Sequence, residues 1–553
     1  MSRFERFVLV SLSVVLLQLT ASASTASSPG PARNSDAACA KCHQAIYDSY
    51  EATPMAHASG DAADGLLPCE FTHAESGVRY RLSVKDGQAW LSYDRPDPPV
   101  GRSLKGEQEL EYFIGSGHRG RTYLFQKQGF WFESPVNWYG KQRVWDMNPK
   151  SLGAREMPFT LKIDSGCLHC HTSAVQPALP GAGNHFAAQP FLFGGISCES
   201  CHGNPSAHLA SGGEMPVLNP AKLPPSRRDS ICLQCHLEGE TTVNRPGRSL
   251  AEFMPGDELS DYVTHFVHSL EPGANRRATS QWEALLQSEC KRQSGDRLTC
   301  ITCHDPHGAP APAQRVTYYR DKCLACHGEA PFASTHYPHT PDCASCHMPR
   351  EKTNDVAHEQ LTDHRIQRPH VLSPRQVIAE PVDLIAIGGA RVSDRDLGLA
   401  YFQFARSGDQ KAGQKALLLL KRAEASPGSP ADADLHTALG FLEHVSGDTQ
   451  DAVIEYRAAL RANPSSSVAA GDLAILEARA GDTKDAVALL RPVSENDPGE
   501  TAASMDLALI ECSTGDAQAA IKTLRQLLDF SPDDGKAKDT LAAIEHKSMR
   551  CGP

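Results

Sequence analysis

The sequence lacks any apolar run of the ~18–20 residues that a membrane-spanning helix needs. It also lacks a concentrated basic stretch: acidic residues outnumber basic ones, 66 to 54, for a formal net charge of −12. Gripping a phosphate backbone takes a dense Lys/Arg surface, so nucleic acid is excluded as a partner. Aromatics are few, at 7%, and methionine is scarcer still, 9 in 553 residues. Apolar content is ordinary at 40%, against 22% charged, which excludes wholesale disorder. At ~150 residues per domain the length suggests about three or four units. The excess lies in 18 cysteines and 24 histidines. So many thiols do not suit an ordinary cytosolic enzyme, and the chain is too long for a small disulfide scaffold.

The first residues say where those cysteines are used. Arg3 and Arg6 precede a short apolar stretch, residues 7–19, and then Ala21-Ser22-Ala23. A basic start, an apolar centre and an Ala-x-Ala end describe a secretory signal peptide over residues 1–23. A Ser/Ala/Pro/Gly linker follows over 24–34, and the first cysteine is Cys39, too late for a lipoprotein signal. The expected mature protein is periplasmic or otherwise exported, with no transmembrane span.

Residues 35–375 hold 16 of the 18 cysteines and 21 of the 24 histidines. Within them a β section is expected over about 78–140. Its clearest part is YRLSV and AWLSY flanking Asp86-Gly87, a strong hairpin signal. After a linker over 376–392 the composition shifts to Ala, Leu, Glu, Asp and Lys at helical spacing. Gly447-Asp448, Gly481-Asp482 and Gly515-Asp516 recur every 34 residues, as do Pro464, Pro498 and Pro532. Leu439, Leu473 and Leu507 keep that register, with small residues Gly440, Ala474 and Ala508 beside them and Ala452, Ala486 and Ala520 further on. An earlier, less regular unit carries Tyr401 and Gly408-Asp409. This 34-residue helix–turn–helix pattern over 393–548 resembles the tetratricopeptide repeat.

Seven segments share one pattern: Cys39-x-x-Cys42-His43, Cys167-x-x-Cys170-His171, Cys198-x-x-Cys201-His202, Cys232-x-x-Cys235-His236, Cys300-x-x-Cys303-His304, Cys323-x-x-Cys326-His327 and Cys343-x-x-Cys346-His347. This is the c-type haem attachment signature. Two cysteines three apart reach both vinyl groups of one porphyrin, and the next residue places an imidazole under the iron. Disulfide pairs and zinc knuckles also use Cys-x-x-Cys, but neither explains a histidine after every pair. The expectation is seven covalently held haems c. They would staple a loop-rich region much as disulfides staple small domains.

Fourteen cysteines are thereby used, leaving Cys69, Cys290, Cys512 and Cys551. Cys69 and Cys290 are one possible pair, and Cys512 reads as a buried helix residue. Histidine is the expected sixth ligand for most irons because methionine is scarce. The candidate distal ligands are His57, His73, His208, His307, His339, His358 and His364. His307 stands too close to His304 to reach over the same iron, so it suits a neighbouring haem.

The order Cys-Glu-Ser-Cys-His202-Gly…Ser-Ala-His208, then Cys-His304-Asp-Pro-His307, then Cys-His347-Met-Pro-Arg350 and Thr-Asp-His364-Arg-Ile366 resembles exported multihaem cytochromes c with C-terminal tetratricopeptide repeats. That group is similar in its haem cores to hydroxylamine oxidoreductase and pentahaem nitrite reductase. The resemblance implies His208, His307 and His364 as distal ligands, with His358 and His73 less secure. The nitrite reductases' Cys-x-x-Cys-Lys is absent: Cys290-Lys291 has Gln287 where a cysteine is required. The expected fold is mainly α: a loop-rich multihaem domain with a small β subdomain, then an α-helical repeat solenoid. The expected function is electron transfer along the haems, with the repeats docking a redox partner. The alternative is an enzyme acting on a small nitrogen or sulfur compound at one five-coordinate haem, with His118, Arg119 and Arg121 the stretch to inspect.

Overall fold

A computed structural model describes residues 36–98, 102–163, 165–269, 278–328, 342–350, 362–367, 383–389, 392–426 and 431–552. The expected signal peptide and its linker lie outside the described residues.

Seven helices carry the C-x-x-C-H motifs in chain order. They are α1 (Ala37–Glu51), α2 (Ser165–His171), α3 (Glu199–His202), α4 (Pro225–His236), α5 (Cys300–Cys303), α6 (Arg315–His327) and α7 (Cys343–His347). Helical spacing explains why: residues three and four apart share a face, so both cysteines and the histidine point the same way. No helix among the described residues is long and apolar enough to cross a membrane.

Between the first and second motifs the chain builds two antiparallel sheets. One orders β2 (Cys69–Thr72), β3 (Arg79–Lys85), β4 (Gln88–Asp94) and β5 (Lys105–Leu110). β3 and β4 pair around Asp86 and Gly87, both at positive φ, the two-residue turn that Asp-Gly favours. Burial alternates along both strands, so Tyr80, Leu82, Ala89, Leu91 and Tyr93 face the core. The other sheet orders β1 (Ser59–Asp61), β6 (Tyr112–Ile114), β7 (Gly120–Lys127), β8 (Phe130–Tyr139) and β10 (Leu161–Lys162), with β9 (Val144–Met147) also on β8. The β section is therefore wider than the expected 78–140, because its outer strands are too short to show an alternating pattern. Beyond it, β11 (Thr172–Val175) pairs with β12 (Phe191–Gly194). A small sheet of β13 (Thr241–Asn244), β14 (Val263–His268) and β15 (Leu384–Ala386) follows α4.

The C-terminal part is four helix pairs and a closing helix. The pairs are α8 (Asp394–Arg406) with α9 (Gln410–Glu424), α10 (Ala433–Ser446) with α11 (Thr449–Ala462), α12 (Ser467–Ala480) with α13 (Thr483–Asn496), and α14 (Thr501–Ser513) with α15 (Ala517–Phe530); α16 (Gly535–Glu545) closes the array. Gly408, Gly447, Gly481 and Gly515 end the first helix of each pair at φ between 93° and 98°, the left-handed conformation glycine adopts without strain. The aspartates that follow behave unequally. Asp409 and Asp516 cap the next helix through their side chains, whereas Asp448 and Asp482 hold the cap position without that bond. Small residues let the paired helices close: a Cβ on Gly440 would lie 2.8 Å from the Tyr456 ring, and Ala474, Ala486, Ala508 and Ala520 are fully buried.

The array lies edge-on against the rest of the chain. Arg95 forms a two-pronged pair with Asp533, at 2.9 and 2.6 Å, with the two side chains 8% and 1% exposed. Arg102 grips Asp539, and Lys162 meets Asp497 at 2.8 Å. Phe530 enters the sheet core against Phe130 and Phe132. At the other end Arg245 meets Asp396 at 2.6 Å, and Phe266 of β14 joins the core of the first repeat.

Cys512 does more than fill a buried helix position. It is disulfide-bonded to Cys551, which ties the C-terminal tail back to α14. Cys69 and Cys290 are not disulfide-bonded.

Candidate metal centre

The motif helices surround one continuous cavity of about 4140 Å³, and all seven motif histidines line it. Ordinary ligand pockets hold roughly 300–1,000 Å³, so this space suits several large groups, not one. None of the fourteen motif cysteines is disulfide-bonded. Burial pushes the Cys201 and Cys323 thiols up to about 11. Sulfurs from different motifs come together: Cys39 with Cys198, Cys235 with Cys170, and Cys300 with Cys232.

Several histidines leave their helices as they enter this space. His43 has non-helical backbone angles inside α1, and His304 turns extended just past α5. They then face histidines from distant segments. The rings of His43 and His208 are 6.4 Å apart between centroids and 16° from parallel. His202 and His307 are 5.9 Å apart at 15°, and His304 and His364 are 6.3 Å apart at 31°. Two imidazoles bonded trans to one metal ion at about 2 Å on each side have centroids roughly 6 Å apart. These three pairs have that separation.

Backbone carbonyls set the tautomers. The Nδ1–H groups of His202, His208, His347 and His364 donate to the carbonyl oxygens of Leu218, Met215, Gln367 and Thr362, at 2.6–2.8 Å. A carbonyl only accepts, so in His202, His208 and His364 Nε2 keeps its lone pair for a metal. Burial also lowers the proton affinity of His236 and His304.

The cavity wall carries groups that fit the acidic edge of a porphyrin. Arg228 lines it with a buried Nε that makes no hydrogen bond, its nearest carboxylate, Asp229, standing 4.0 Å away. Arg315, Lys322 and Arg350 are on the same wall. Thiol pairs, imidazoles with a free lone pair, apolar space and cations together fit haem c.

The structure does not bring every expected ligand to this space. His73 is buried in the β section, its Nδ1 against Ser76 Oγ and its Nε2 against Glu75 and Leu152 O. His57 turns its Nε2 onto the carbonyl of Glu51. Neither is on the cavity wall. Local hydrogen bonds hold both rings where they are. His339 and His358 lie outside the described residues. His265, which the sequence did not single out, does line the cavity. It sits on a strand far from any motif in sequence, so no spacing signal marked it. Burial depresses it to about 4.

Comparison with known proteins fits this geometry. Residues 141–203 match the family described as cytochrome c554 and c-prime, residues 293–332 match the doubled CXXCH motif, and residues 444–503 and 477–544 match the tetratricopeptide repeat. The multiheme cytochrome MtrA of Shewanella baltica is 24% identical over 212 residues, which cover 34% of this chain and 61% of that protein. The C-type polyheme cytochrome OmcB of Geobacter sulfurreducens is 28% identical over 168 residues, 30% of this chain and 20% of that one. The matched stretch thus spans less than two thirds of either relative. Among solved structures, MamA from Desulfovibrio magneticus is similar with a TM-score of 0.25 and 19% identity, covering 29% of this chain and 88% of that chain. A tetratricopeptide repeat protein of Parabacteroides merdae gives a TM-score of 0.24 and 21% identity, with 27% and 57% covered. The chain thus carries tetratricopeptide repeats and segments similar to multihaem c-type cytochromes.

Proposed function

We propose that this chain is an exported electron carrier in which seven haems c fill the cavity, each held by the two cysteines and the histidine of one motif. His208, His307 and His364 close the irons carried by His43, His202 and His304. The observation that carries this reading is the set of three histidine pairs at iron-spanning separation within one continuous cavity. Bis-histidine ligation keeps an iron low-spin and closed to substrate, which suits electron transfer. Contacts between sulfurs of different motifs support haems close enough to exchange electrons. Export is supported by the Cys512–Cys551 disulfide, which persists in an oxidising compartment. The kinship with hydroxylamine oxidoreductase and nitrite reductase haem cores rests on the motif order and these distal histidines.

The repeats dock a redox partner in this reading. Their inter-repeat edge is already bound to the rest of the chain, so the partner takes the helix faces or the Gly-Asp edge. Haem propionates make the protein more acidic than its sequence charge of −12, and a basic partner surface complements it. A reading as an enzyme has one specific support: the buried, unpartnered Asn137 Oδ1 on the cavity wall could meet a small substrate. One experiment separates the two. Pyridine haemochrome assay of the exported protein should count seven haems per chain. The ferric electron paramagnetic resonance spectrum should be low-spin and unchanged by nitrite, hydroxylamine or CO. Fewer haems overturns the count, and a high-spin iron that shifts with nitrite makes the protein an enzyme.

A further inference from the structure

Among the described residues, five histidines besides the seven motif-ending ones reach the cavity wall: His169, His208, His265, His307 and His364. Three of them face motif histidines. His169 stands between its own two haem cysteines and turns its Nε2 onto Gln234, at 2.9 Å. His265 has no such explanation. We propose that His265 is an axial iron ligand, acting on one of the two haems anchored at α2 and α4. The inference rests on the haem reading of the C-x-x-C-H motifs and adds a ligand to it.

Position argues for those two haems. α2 and α4 lie side by side, joined where His169 meets Gln234 and where the Cys170 sulfur meets the Gln234 carbonyl. β13 begins a short turn after His236 and pairs with β14, placing Thr242 opposite His265. The strand therefore brings His265 to the cavity wall beside α4.

The ring is prepared for a metal. Its Nδ1 lies 2.8 Å from Thr242 Oγ1. With the hydroxyl accepting Nδ1–H, Nε2 is left with its lone pair, the arrangement that second-shell partners impose on ligating histidines. Alternation along β14 explains how one strand serves two neighbours. Phe266 packs into the core of the first repeat, and His268 packs on Phe404 of α8. On the opposite face Val263 joins Leu233 and Tyr262 beside α4, and His265 shares that face. Ligation here fastens the strand that seats the repeat array directly to an iron.

The test uses the exported, haem-loaded full-length protein with His265→Ala and His265→Met. In both, the haem count per chain stays at the wild-type value, because the cysteines are untouched. His265→Ala should lose one iron's worth of low-spin signal and gain a high-spin one, and added imidazole should restore the low-spin state. His265→Met should show a thioether-ligated iron in near-infrared magnetic circular dichroism. An unchanged count with a wild-type spin state in His265→Ala, or no thioether signature in a folded His265→Met protein, overturns the proposal. A wild-type protein without covalent haem overturns the reading beneath it, and the haem count tells the two failures apart.

Discussion

At the residue scale the feature that matters is a nitrogen with nothing else to do. In His202, His208 and His364 one ring nitrogen is spent on a backbone carbonyl, which fixes the tautomer and aims the other into the cavity. This is how a second shell orients and strengthens a metal ligand. The three facing pairs also interlock. His208 follows the third motif and faces the first, His307 follows the fifth and faces the third, and His364 follows the seventh and faces the fifth. In the proposed reading each iron so held joins segments far apart in sequence. His307→Met is the informative substitution, because it exchanges an imidazole for a thioether without emptying the position. Methionine raises the potential of a haem iron, on a scale where axial ligands span about 0.8 V. Spectroelectrochemical titration should therefore show one haem moving to higher potential with the haem count unchanged. An unmoved set of potentials would detach His307 from any iron.

At the element scale the repeats show what a period does physically. Each second helix sends a basic side chain to a buried glutamate on the first helix of the next pair. Lys421 reaches Glu443, Arg457 reaches Glu477 and Arg491 reaches Glu511, at 2.6–3.0 Å. The glutamates are at most 7% exposed, so losing one strands its partners. Glu511→Ala leaves the hydroxyl of Thr523 and the guanidinium of Arg491 without their acceptor. The cost should be about 1–3 kcal/mol of array stability, read from denaturant unfolding. Between the first two pairs, His436 is held above its ordinary value by the Glu455 carboxylate and, at longer range, by Glu424. A raised histidine stabilises most below its unfolded value of 6.5 and loses that contribution as pH rises through the folded value. The melting temperature should fall as pH rises from about 6.5, and His436→Gln should flatten that slope. The sequence showed these repeats because glycine, aspartate, leucine and alanine keep their register. It showed the motifs because covalent attachment fixes a spacing. It did not show which histidines meet, since His43 and His208 come together only through tertiary folding. His265 carried no local mark at all. Nor did it show the width of the β section, whose edge strands β1, β9 and β10 are too short to alternate.

At the scale of the whole molecule the repeat array is docked on the rest of the protein and is not a free arm. Its last two repeats and closing helix present Asp497, Asp529, Asp533 and Asp539, from loops and helices alike, and the β section answers with Lys162, Lys127, Arg95 and Arg102. These contacts are unequal. Lys127–Asp529 and Arg102–Asp539 are solvent-exposed on the acidic side, 49% and 72%, and such pairs contribute about 0–1 kcal/mol each, less in salt. Arg95–Asp533 is different. Asp533 is 1% exposed, accepts from both arms of Arg95 and also takes the backbone N–H of Met157. A buried pair gives little net gain over apolar residues of the same size, but breaking it from one side leaves an uncompensated charge. Asp533→Ala should therefore cost about 3–5 kcal/mol, whereas Arg95→Met with Asp533→Leu should recover most of that loss. The place of the damage is specific. Phe530 and the β-sheet core share one cluster next to this pair, so the last repeat should peel from the sheet before the haem region loosens. Hydrogen exchange by mass spectrometry checks this: in Asp533→Ala, amides of α15, α16, β4 and β7 should exchange faster while α4 and α5 stay protected. Equal loosening of the motif helices would mean that the array and the haem cavity unfold as one cooperative unit.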